Sequence, residues 1–575
     1  MSGQTVSLVI AGNGGAGVVT AGSLLLEAAA KSGWYAYMTR SSGPQIRGGE
    51  AAVMIRLGTE PVSSHDDRFH FLVAIDWQNL NRFAAEIPLG PDSLLIGDPG
   101  EGEAPESIVR MGAQRVDLPM KALAKGVPGG RPNMIAFGAI AAMIGLTEDV
   151  VLEVLRDNLK RKGEDAIAAS IAAFRAGVEA AATFPAVPRL AATKAGSSER
   201  WSITGNEATG MGALRGGVRF VAAYPITPAT EVLEWLAPAL PKVGGVLVQA
   251  EDELASINQI IGGSYGGVPS LTATSGPGLA LMTESLGLAV AAEVPIVVVD
   301  VMRVGPSTGI ATKSEQSDLN IAVYGLHGDA PHLVLAPTSV ADCLFTTQWA
   351  VHLAEMLQTP AIVLTDQAMG QARAVISRSA AIAFMGQREK PAALEAGVQY
   401  KRYANTPSGV SPMAVPGMAG FTYTADGLEH NETGTPSSQA SDHQAQLDKR
   451  LRKLTGYNYG DHWADISGDE DADTAIVTWG SSAGPAREAL ERLRSEGRAV
   501  KLVAVRLISP VQPEKFERAL AGVSRILVVE QSHSGQFYRY LRAQYDLPRQ
   551  VKALHQPGPL SVRPGAIVEQ ITQWS

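Results

Sequence analysis

The chain alternates short apolar runs with amphipathic stretches, and glycine-rich turns separate them. It opens with an apolar run over residues 6–11, the turn Gly12-Asn13-Gly14-Gly15-Ala16-Gly17, and a helical periodicity to Ala30. That order predicts strand, tight turn and helix. Further strands are predicted at residues 35–38, 71–75 and 94–96, and a helix at 134–144. A stretch rich in Pro, Ala, Ser and Lys over 185–200 marks a boundary. Beyond it, apolar runs at 218–222, 246–249, 270–274, 295–301, 333–335 and 361–365 alternate with helical patterns. Such alternation predicts a parallel, doubly wound sheet. Periodicity is lost over 385–471, and then returns with strands at 475–478, 500–505 and 525–529 and helices at 485–496 and 536–545. The expected organisation is therefore α/β and multidomain: 1–190, 201–384, an irregular connecting region 385–471, and 472–575.

Composition narrows the function. A chain of 575 residues calls for three or four domains. Its formal charge of −9 gives no basis for a nucleic-acid partner. No apolar run is read as long enough to span a membrane, and no basic stretch precedes the first apolar run, so a cytoplasmic location is expected. The one cysteine, Cys343, excludes an internal disulfide and a cluster held by four cysteines of this chain. It reads as a small buried hydrophobe. No metal site is assigned, and His327, His332, His430 and His533 are given no role.

Gly12, Gly14 and Gly17 satisfy a dinucleotide-type glycine spacing between strand and helix. A dinucleotide site also wants an acid at the end of the second strand. Thr39 and Arg40 stand there, which disfavours NAD. The glycines serve either an anion or close helix–strand packing. The later run Ser41-Ser42-Gly43-Pro44-Gln45-Ile46-Arg47-Gly48-Gly49 offers backbone donors and a guanidinium, suited to a phosphate or pantetheine contact or to a rigid surface loop.

Four motifs stand at strand ends in the second unit. Tyr224-Pro225-Ile226-Thr227-Pro228 precedes a helical run, with Thr227 expected as its N-cap and Pro228 as its first residue. Glu251-Asp252-Glu253 enters the next helix, either as a charged first turn or with one buried carboxylate for a cofactor ring. The glycines at 262–263 and 266–267 are expected to let that helix pack closely. Thr274-Ser275-Gly276-Pro277-Gly278 and Met302-Arg303 complete the set. The C-terminal ends of parallel strands share one side of a sheet, where ligands bind in this architecture.

These residues resemble the 2-oxoacid:ferredoxin oxidoreductase family. GNEATGMGAL, YPITPATE, QAEDELASINQIIGGSYGG, TSGPGLALMTE and the loop 303–319 are similar to its pyrimidine-binding domain, which binds thiamine diphosphate. GNGGAGVVTAGSLL with SSGPQIRGG resembles its Rossmann-like gamma domain, fused here in front of the alpha part, and the C-terminal unit its transketolase-C-like domain. The fused order, with RYANTPSGVSPMAVPG and GLEHNETG, looks most like the 2-oxoglutarate branch.

The resemblance implies thiamine diphosphate shared with a beta subunit, which carries Mg2+ and a [4Fe-4S] cluster. Coenzyme A is the implied co-substrate, ferredoxin the electron acceptor, and a dimer of heterodimers the assembly. Glu253 matches the glutamate that bonds the aminopyrimidine, with Glu251 as the alternative. Thr227, Arg303 and Thr312 match substrate contacts, with Arg303 on the 2-oxoacid carboxylate. Tyr224, Pro225, Ile226, Ser275 and Gly276 match the cofactor's surroundings, and Gly14, Gly15, Arg47 and Gly48 those of coenzyme A. Ala16 replaces a glutamine common in the gamma motif, and Ala311 a frequent proline. Pyruvate or a broader range of 2-oxoacids is the alternative substrate, and low-potential ferredoxin also permits carboxylation. An NAD(P) dehydrogenase and a catalytically silent scaffold are the readings from other classes.

Overall fold

The computed structural model describes residues 5–13, 15–42, 50–78, 80–191, 200–379, 384–394 and 398–574. The chain divides into two compact units. One comprises Met1–Thr204, Gln371–Ala380 and Arg563–Ile567; the other comprises Gly205–Gly370, Ala381–Val562 and Val568–Ser575.

The first unit is built on an eight-stranded sheet. Gln114–Asp117, Leu94–Gly97, Phe71–Ala74 and Thr5–Asn13 run parallel, as a Rossmann-like half requires. Glu50–Gly58 then lies antiparallel between Thr5–Asn13 and Tyr35–Ser42. Arg373–Ser377 and Arg200–Thr204 extend the sheet, each antiparallel to its neighbour. Residues 201–204 and 373–377, read by sequence within the following domain, thus form strands of this sheet. Periodicity reports which residues are half-buried and not which strand they pair with.

The expectation of no spanning-length apolar stretch also needs correcting. The helix Glu164–Ala180, continued by a turn to Thr183, is long and apolar enough to cross a membrane on length and composition. Its apolarity has a packing reason within this unit. A Cβ on Gly138 would lie 2.0 Å from Phe174 O, and one on Gly177 2.0 Å from Ile135 O. The two glycines therefore let this helix cross Pro132–Ile144 backbone against backbone.

The second unit holds two sheets. In the larger, Leu333–Leu335, Ala361–Asp366, Val297–Met302, Ser270–Thr274, Phe220–Ala223 and Val246–Gln249 follow one another, all parallel. Leu507–Ser509 joins the edge antiparallel to Leu333–Leu335. The smaller sheet runs Ala464–Gly468, Val500–Val505, Thr474–Trp479, Arg525–Glu530 and Gln550–His555, parallel except for its first strand. Strands of the larger sheet such as Val297–Met302 are buried throughout, as expected with both faces covered.

The stretch expected to be irregular contains a 16-residue helix, Ala440–Thr455. Its buried residues include Gln446, Lys449, Arg450 and Lys453, so the face it turns inward is largely polar. Lys449 Nζ and Lys453 Nζ reach the two carboxylate oxygens of Glu293 at 2.5 and 3.0 Å, with all three side chains out of water. Arg402 adds a bond to Glu293 O at 2.8 Å. Nearby, Arg388 pairs with both oxygens of Glu355 at 2.7 and 2.8 Å. Ion pairs, with Met413 and Leu454 in the same core, hold this region on the larger sheet's domain.

Candidate active site

The four motif-bearing strands are consecutive neighbours in the larger sheet, so their C-terminal ends form one continuous edge. At one end of that edge, the acidic run divides by exposure. Glu251 and Asp252 are exposed, while Glu253 is 7% exposed. Asp252 caps the helix Glu253–Tyr265 by accepting from Ala255 N at 2.7 Å. That cap turns the next side chain inward. A Cβ on Gly278 would lie 2.7 Å from Glu253 Cγ, 2.8 Å from Glu253 Oε1 and 2.1 Å from Thr274 Oγ1. Gly278 therefore leaves the space that the Glu253 carboxyl occupies. No hydrogen bond among the described residues engages that carboxyl. Burial, an open lone pair and a glycine-lined approach suit Glu253, rather than Glu251, to a flat nitrogen heterocycle. The residues present fit the aminopyrimidine of thiamine diphosphate.

The next strand end carries Tyr224, Pro225 and Ile226, with Tyr224 40% exposed and the other two half-buried. The expected capping roles are corrected here. The helix is Thr230–Ala239 with Ala229 at its N-cap, and no side chain caps it. Thr227 and Pro228 lie in the preceding turn, which Thr230 N closes by donating to Ile226 O at 3.0 Å. Asn206, fully buried, donates from Nδ2 to Pro228 O at 3.0 Å and supports that turn.

Arg303 follows the strand Val297–Met302, is 7% exposed, and donates from Nη1 to Thr227 O at 2.7 Å. Among the described residues its Nε has no partner. Burial lowers the guanidinium's pKa, with Asp318 opposing. The loop after it folds back: Val304 N donates to Lys313 O at 3.0 Å, and Ile310 N to Val304 O at 2.9 Å. Thr312, half-buried, is thereby returned beside the chain segment that carries Arg303. Gln316 then fastens the loop to the smaller sheet. Its Oε1 accepts from Ser482 Oγ and Gln531 N, each at 2.8 Å, and its Nε2 donates to Trp479 O at 2.9 Å.

Between these groups, Ser275 precedes the helix Gly276–Ala291, fully buried, and its Oγ has no partner among the described residues. A Cβ on Gly276 would lie 2.5 Å from Asp318 Oδ2. Asp318 in turn meets Asp300, a fully buried residue of the strand Val297–Met302. Burial first, and then Asp318, raises the Asp300 pKa well above the carboxylate range. Burial raises Asp318 to about 6, with Glu315 adding to it and Asp300 and Arg303 opposing. Sequence reasoning missed Asn206, Gln316, Asp300 and Asp318. A signal existed for Asp300, an acid within the otherwise apolar run Val297-Val298-Val299-Asp300-Val301-Met302.

In the first unit, Gly17 of the glycine fingerprint packs closely. Gly17 has φ +78°, and a Cβ there would lie 2.3 Å from Asn133 Nδ2. Gly15 N is spent on Asn13 Oδ1 at 2.9 Å, and Asp76 Oδ2 accepts from Asn13 N at 2.9 Å. That carboxylate also lies 3.2 Å from a Cβ built on Gly12, so the turn carries a negative group of its own. Glu50–Gly58 separates the first and second strands, which removes the adjacency a dinucleotide site uses. Gly15 is exposed; Gly14, Arg47 and Gly48 lie outside the described residues. Helix Gly262 also departs from expectation: a Cβ there would meet nothing within 4 Å, whereas one on Gly263 would lie 2.5 Å from the Phe220 ring.

Comparison with known proteins converges on one chemistry. Residues 211–449 match a family model described as pyruvate flavodoxin/ferredoxin oxidoreductase, thiamine diphosphate-binding. Residues 7–180 match pyruvate ferredoxin/flavodoxin oxidoreductase, and 472–565 match pyruvate:ferredoxin oxidoreductase core domain II. The chain is 30% identical to 2-oxoacid:ferredoxin oxidoreductase 2, subunit alpha, of Aeropyrum pernix, over 94% of this chain and 93% of that one. It is 34% identical to the 2-oxoglutarate synthase subunit KorA of Methanothermobacter marburgensis, over 65% of this chain and 99% of that one. A solved structure, 2-oxoglutarate:ferredoxin oxidoreductase from Magnetococcus marinus with 2-oxoglutarate, coenzyme A and succinyl-CoA bound, is 35% identical. It aligns with a TM-score of 0.92, over 99% of each chain.

Proposed function

Since the chain belongs to the 2-oxoacid:ferredoxin oxidoreductase family, and is an oxidoreductase with a thiamine diphosphate-binding domain, we propose that it is the alpha subunit of a 2-oxoglutarate:ferredoxin oxidoreductase. The reaction takes 2-oxoglutarate, coenzyme A and oxidised ferredoxin to succinyl-CoA, carbon dioxide and reduced ferredoxin. The observation that carries this reading is the single strand-end edge that holds both a buried Glu253 and a buried Arg303, the latter bonded to Thr227. The choice of 2-oxoglutarate rests on the likeness to the Magnetococcus marinus enzyme along the whole chain.

Thiamine diphosphate, when bound, supplies the nucleophilic carbon and the electron sink for decarboxylation. Glu253 holds a proton at its carboxyl oxygen against the aminopyrimidine nitrogen, in a dry position where that exchange is strong. Arg303 binds the carboxylate of the 2-oxoacid, and Thr227 O fixes the direction of the guanidinium. Thr312, on the loop that folds back to Val304, is read as a further substrate contact.

Electrons must leave through a centre this chain does not hold by cysteine. Cys343 is its one cysteine; it is buried, and burial raises its pKa far above the usual thiol range. That supports a beta subunit carrying the iron–sulfur cluster and the diphosphate–Mg2+ site, in a dimer of heterodimers that reduces ferredoxin. Coenzyme A is assigned as acyl acceptor on the same likeness.

The test is coenzyme A-dependent reduction of methyl viologen by the chain co-purified with its partner, comparing 2-oxoglutarate with pyruvate. Preference for 2-oxoglutarate is expected. Preference for pyruvate overturns the substrate and keeps the mechanism, and no reduction with either overturns the catalytic reading.

A further inference from the structure

The loop that carries Arg303 and Thr312 runs on into the helix Leu319–Tyr324, and one distant side chain straddles that junction. Gln536 Nε2 donates to Ser317 O at 2.8 Å, and Gln536 Oε1 accepts from Asn320 N at 3.0 Å. The two bonds stand on either side of Asp318, the N-cap residue. An aspartate in that place ordinarily accepts from the first N–H groups of its own helix. Asp318 makes no such bond among the described residues, and its Oδ2 lies 2.5 Å from a Cβ built on Gly276. Gln536 thus satisfies a first-turn donor that the N-cap leaves open, while the Asp318 carboxyl turns toward Gly276 at the strand-end edge.

Gln536 is itself held by a buried acid. It begins the helix Gln536–Gln544, whose N-cap, Gly535 at φ +65°, has no side chain to cap with. Glu530, fully buried at the end of the strand Arg525–Glu530, takes that task. Its Oε2 accepts from Ser532 Oγ at 2.7 Å and Phe537 N at 2.9 Å, and its Oε1 from Tyr538 N at 2.8 Å. Ser532 Oγ in turn accepts from Gln536 N at 3.2 Å. At the far end of the same helix, Gln544 Nε2 donates to the Tyr324 hydroxyl at 3.1 Å. The short helix after the loop is therefore tied at both ends to the helix that Glu530 caps.

We propose that Gln536 is a positioning residue for the 2-oxoacid: by bonding both sides of Asp318 it fixes where the loop 303–319 ends, and Glu530 fixes Gln536. The strand Val297–Met302 sets the start of that loop, and Gln316 fastens it to the smaller sheet. A loop fixed at both ends has less freedom to lose when it closes on a ligand, so the effect falls on substrate affinity. Gln536 and Glu530 touch neither substrate nor cofactor. This inference rests on the reading of the Arg303 loop as the substrate's.

The test uses the complex of this chain with its partner subunit, by steady-state kinetics and by amide hydrogen exchange over residues 303–324. Gln536→Met keeps the length of the side chain and removes both bonds. Its KM for the 2-oxoacid should rise about 3–10-fold, with kcat and the KM for coenzyme A within about twofold, and exchange over 303–324 should quicken. Gln536→Glu keeps the acceptor for Asn320 N, loses the donor to Ser317 O, and should fall between wild type and methionine. Glu530→Gln should raise the same KM, and should add little to Gln536→Met, because both act through one contact. Equal rises in KM for 2-oxoacid and coenzyme A would mean general loosening and overturn the proposal. So would an unaltered 2-oxoacid KM in Gln536→Met beside a raised one in Arg303→Lys. An unaltered KM in both variants would instead overturn the reading of the loop as the substrate's, so the two failures are separable.

Discussion

Arg303 Nη1 donates to the Thr227 carbonyl oxygen at 2.7 Å, across 76 positions of sequence. The strands they follow are not neighbours, since Ser270–Thr274 lies between them. The arginine thus spans a strand end, and its direction is set by backbone. A lysine carries the charge without the planar fork that reaches both the carbonyl and a substrate carboxylate. Arg303→Lys is therefore expected to lower kcat/KM about 10–100-fold, mainly through KM. Steady-state kinetics with 2-oxoglutarate check it, and a lysine enzyme matching wild type would remove Arg303 from the site.

Glu253 presents a different chemistry, since its carboxyl is buried and free of hydrogen bonds among the described residues. Glu253→Gln keeps the shape and removes the acid. The variant should lose about 10²–10⁴ in kcat with an unchanged melting temperature. Glu251→Gln, altering an exposed side chain, should leave kcat within about threefold. The opposite ranking of the two variants would move the proton-handling role to Glu251.

The space for Glu253 depends on Gly278, where one added methyl would collide with Thr274 Oγ1 and Glu253 Cγ. Gly278→Ala should displace the carboxyl by a fraction of an ångström and cost about 10–100-fold in kcat/KM. Gly262→Ala, on the helix that Glu253 begins but facing open space, is the control and should be near neutral for folding of this chain. Comparable losses in thermal stability for both would argue against a steric cause.

The strand-end motifs were legible because each combines a buried strand pattern with residues that only a turn or a ligand explains, and the strands at 246–249, 270–274, 333–335 and 500–505 stand where their apolar runs do. Two classes of feature were not. Arg200–Thr204 and Arg373–Ser377 pair across the first sheet, and pairing is a long-range choice that local pattern does not encode. The helix Ala440–Thr455 escaped because its inward face is Gln446, Lys449, Arg450 and Lys453, with Leu454 the one apolar residue among them. A hydrophobic period cannot report a helix that packs through charge. Asp300 and Asp318 stood in view but carry no motif; only the fold brings the two acids together.

That charged helix gives a pH-dependent stability. Burial lowers Lys453 from its ordinary 10.5 to about 7, with Lys449 and Arg402 adding to the shift and Glu293 opposing it. Between those values the unfolded chain binds a proton that the folded chain does not, so this group makes stability rise as pH increases above about 7. Burial works to raise Glu293, but Lys449, Lys453 and Arg402 overcome it and hold the carboxyl well below its usual range. Its contribution is present above the unfolded carboxyl pKa and fades as pH falls toward the folded one. Denaturant unfolding between pH 7 and 9 should show a rise that Lys453→Met flattens. Glu293→Gln leaves the buried Lys449 and Lys453 without their anion and should cost about 3–5 kcal/mol at pH 7. A wild-type slope retained in Lys453→Met would place the titration elsewhere.

Gln316 makes the last prediction, because it joins the loop that carries Thr312 to the smaller sheet. Its amide is fully used: Ser482 Oγ and Gln531 N donate to Oε1, and Nε2 donates to Trp479 O. Its backbone N donates to Gln531 O at 2.7 Å, a bond that substitution preserves. Gly480, at φ +58°, would bring a Cβ within 2.4 Å of Gln316 Nε2, so the approach is too close for a bulkier neighbour. Gln316→Leu fills similar volume but strands buried polar groups on both strand ends, a loss of about 1–3 kcal/mol for each group left unpaired. The same loss loosens the loop, so KM for the 2-oxoacid should rise along with the fall in melting temperature. Gln316→Glu retains the acceptor for Ser482 and Gln531 but faces Trp479 O without a donor, and should fall between wild type and leucine in both measurements. A lower melting temperature with unaltered KM would mean that Glu315, which accepts from Gly558 N at 3.1 Å, holds the loop by itself.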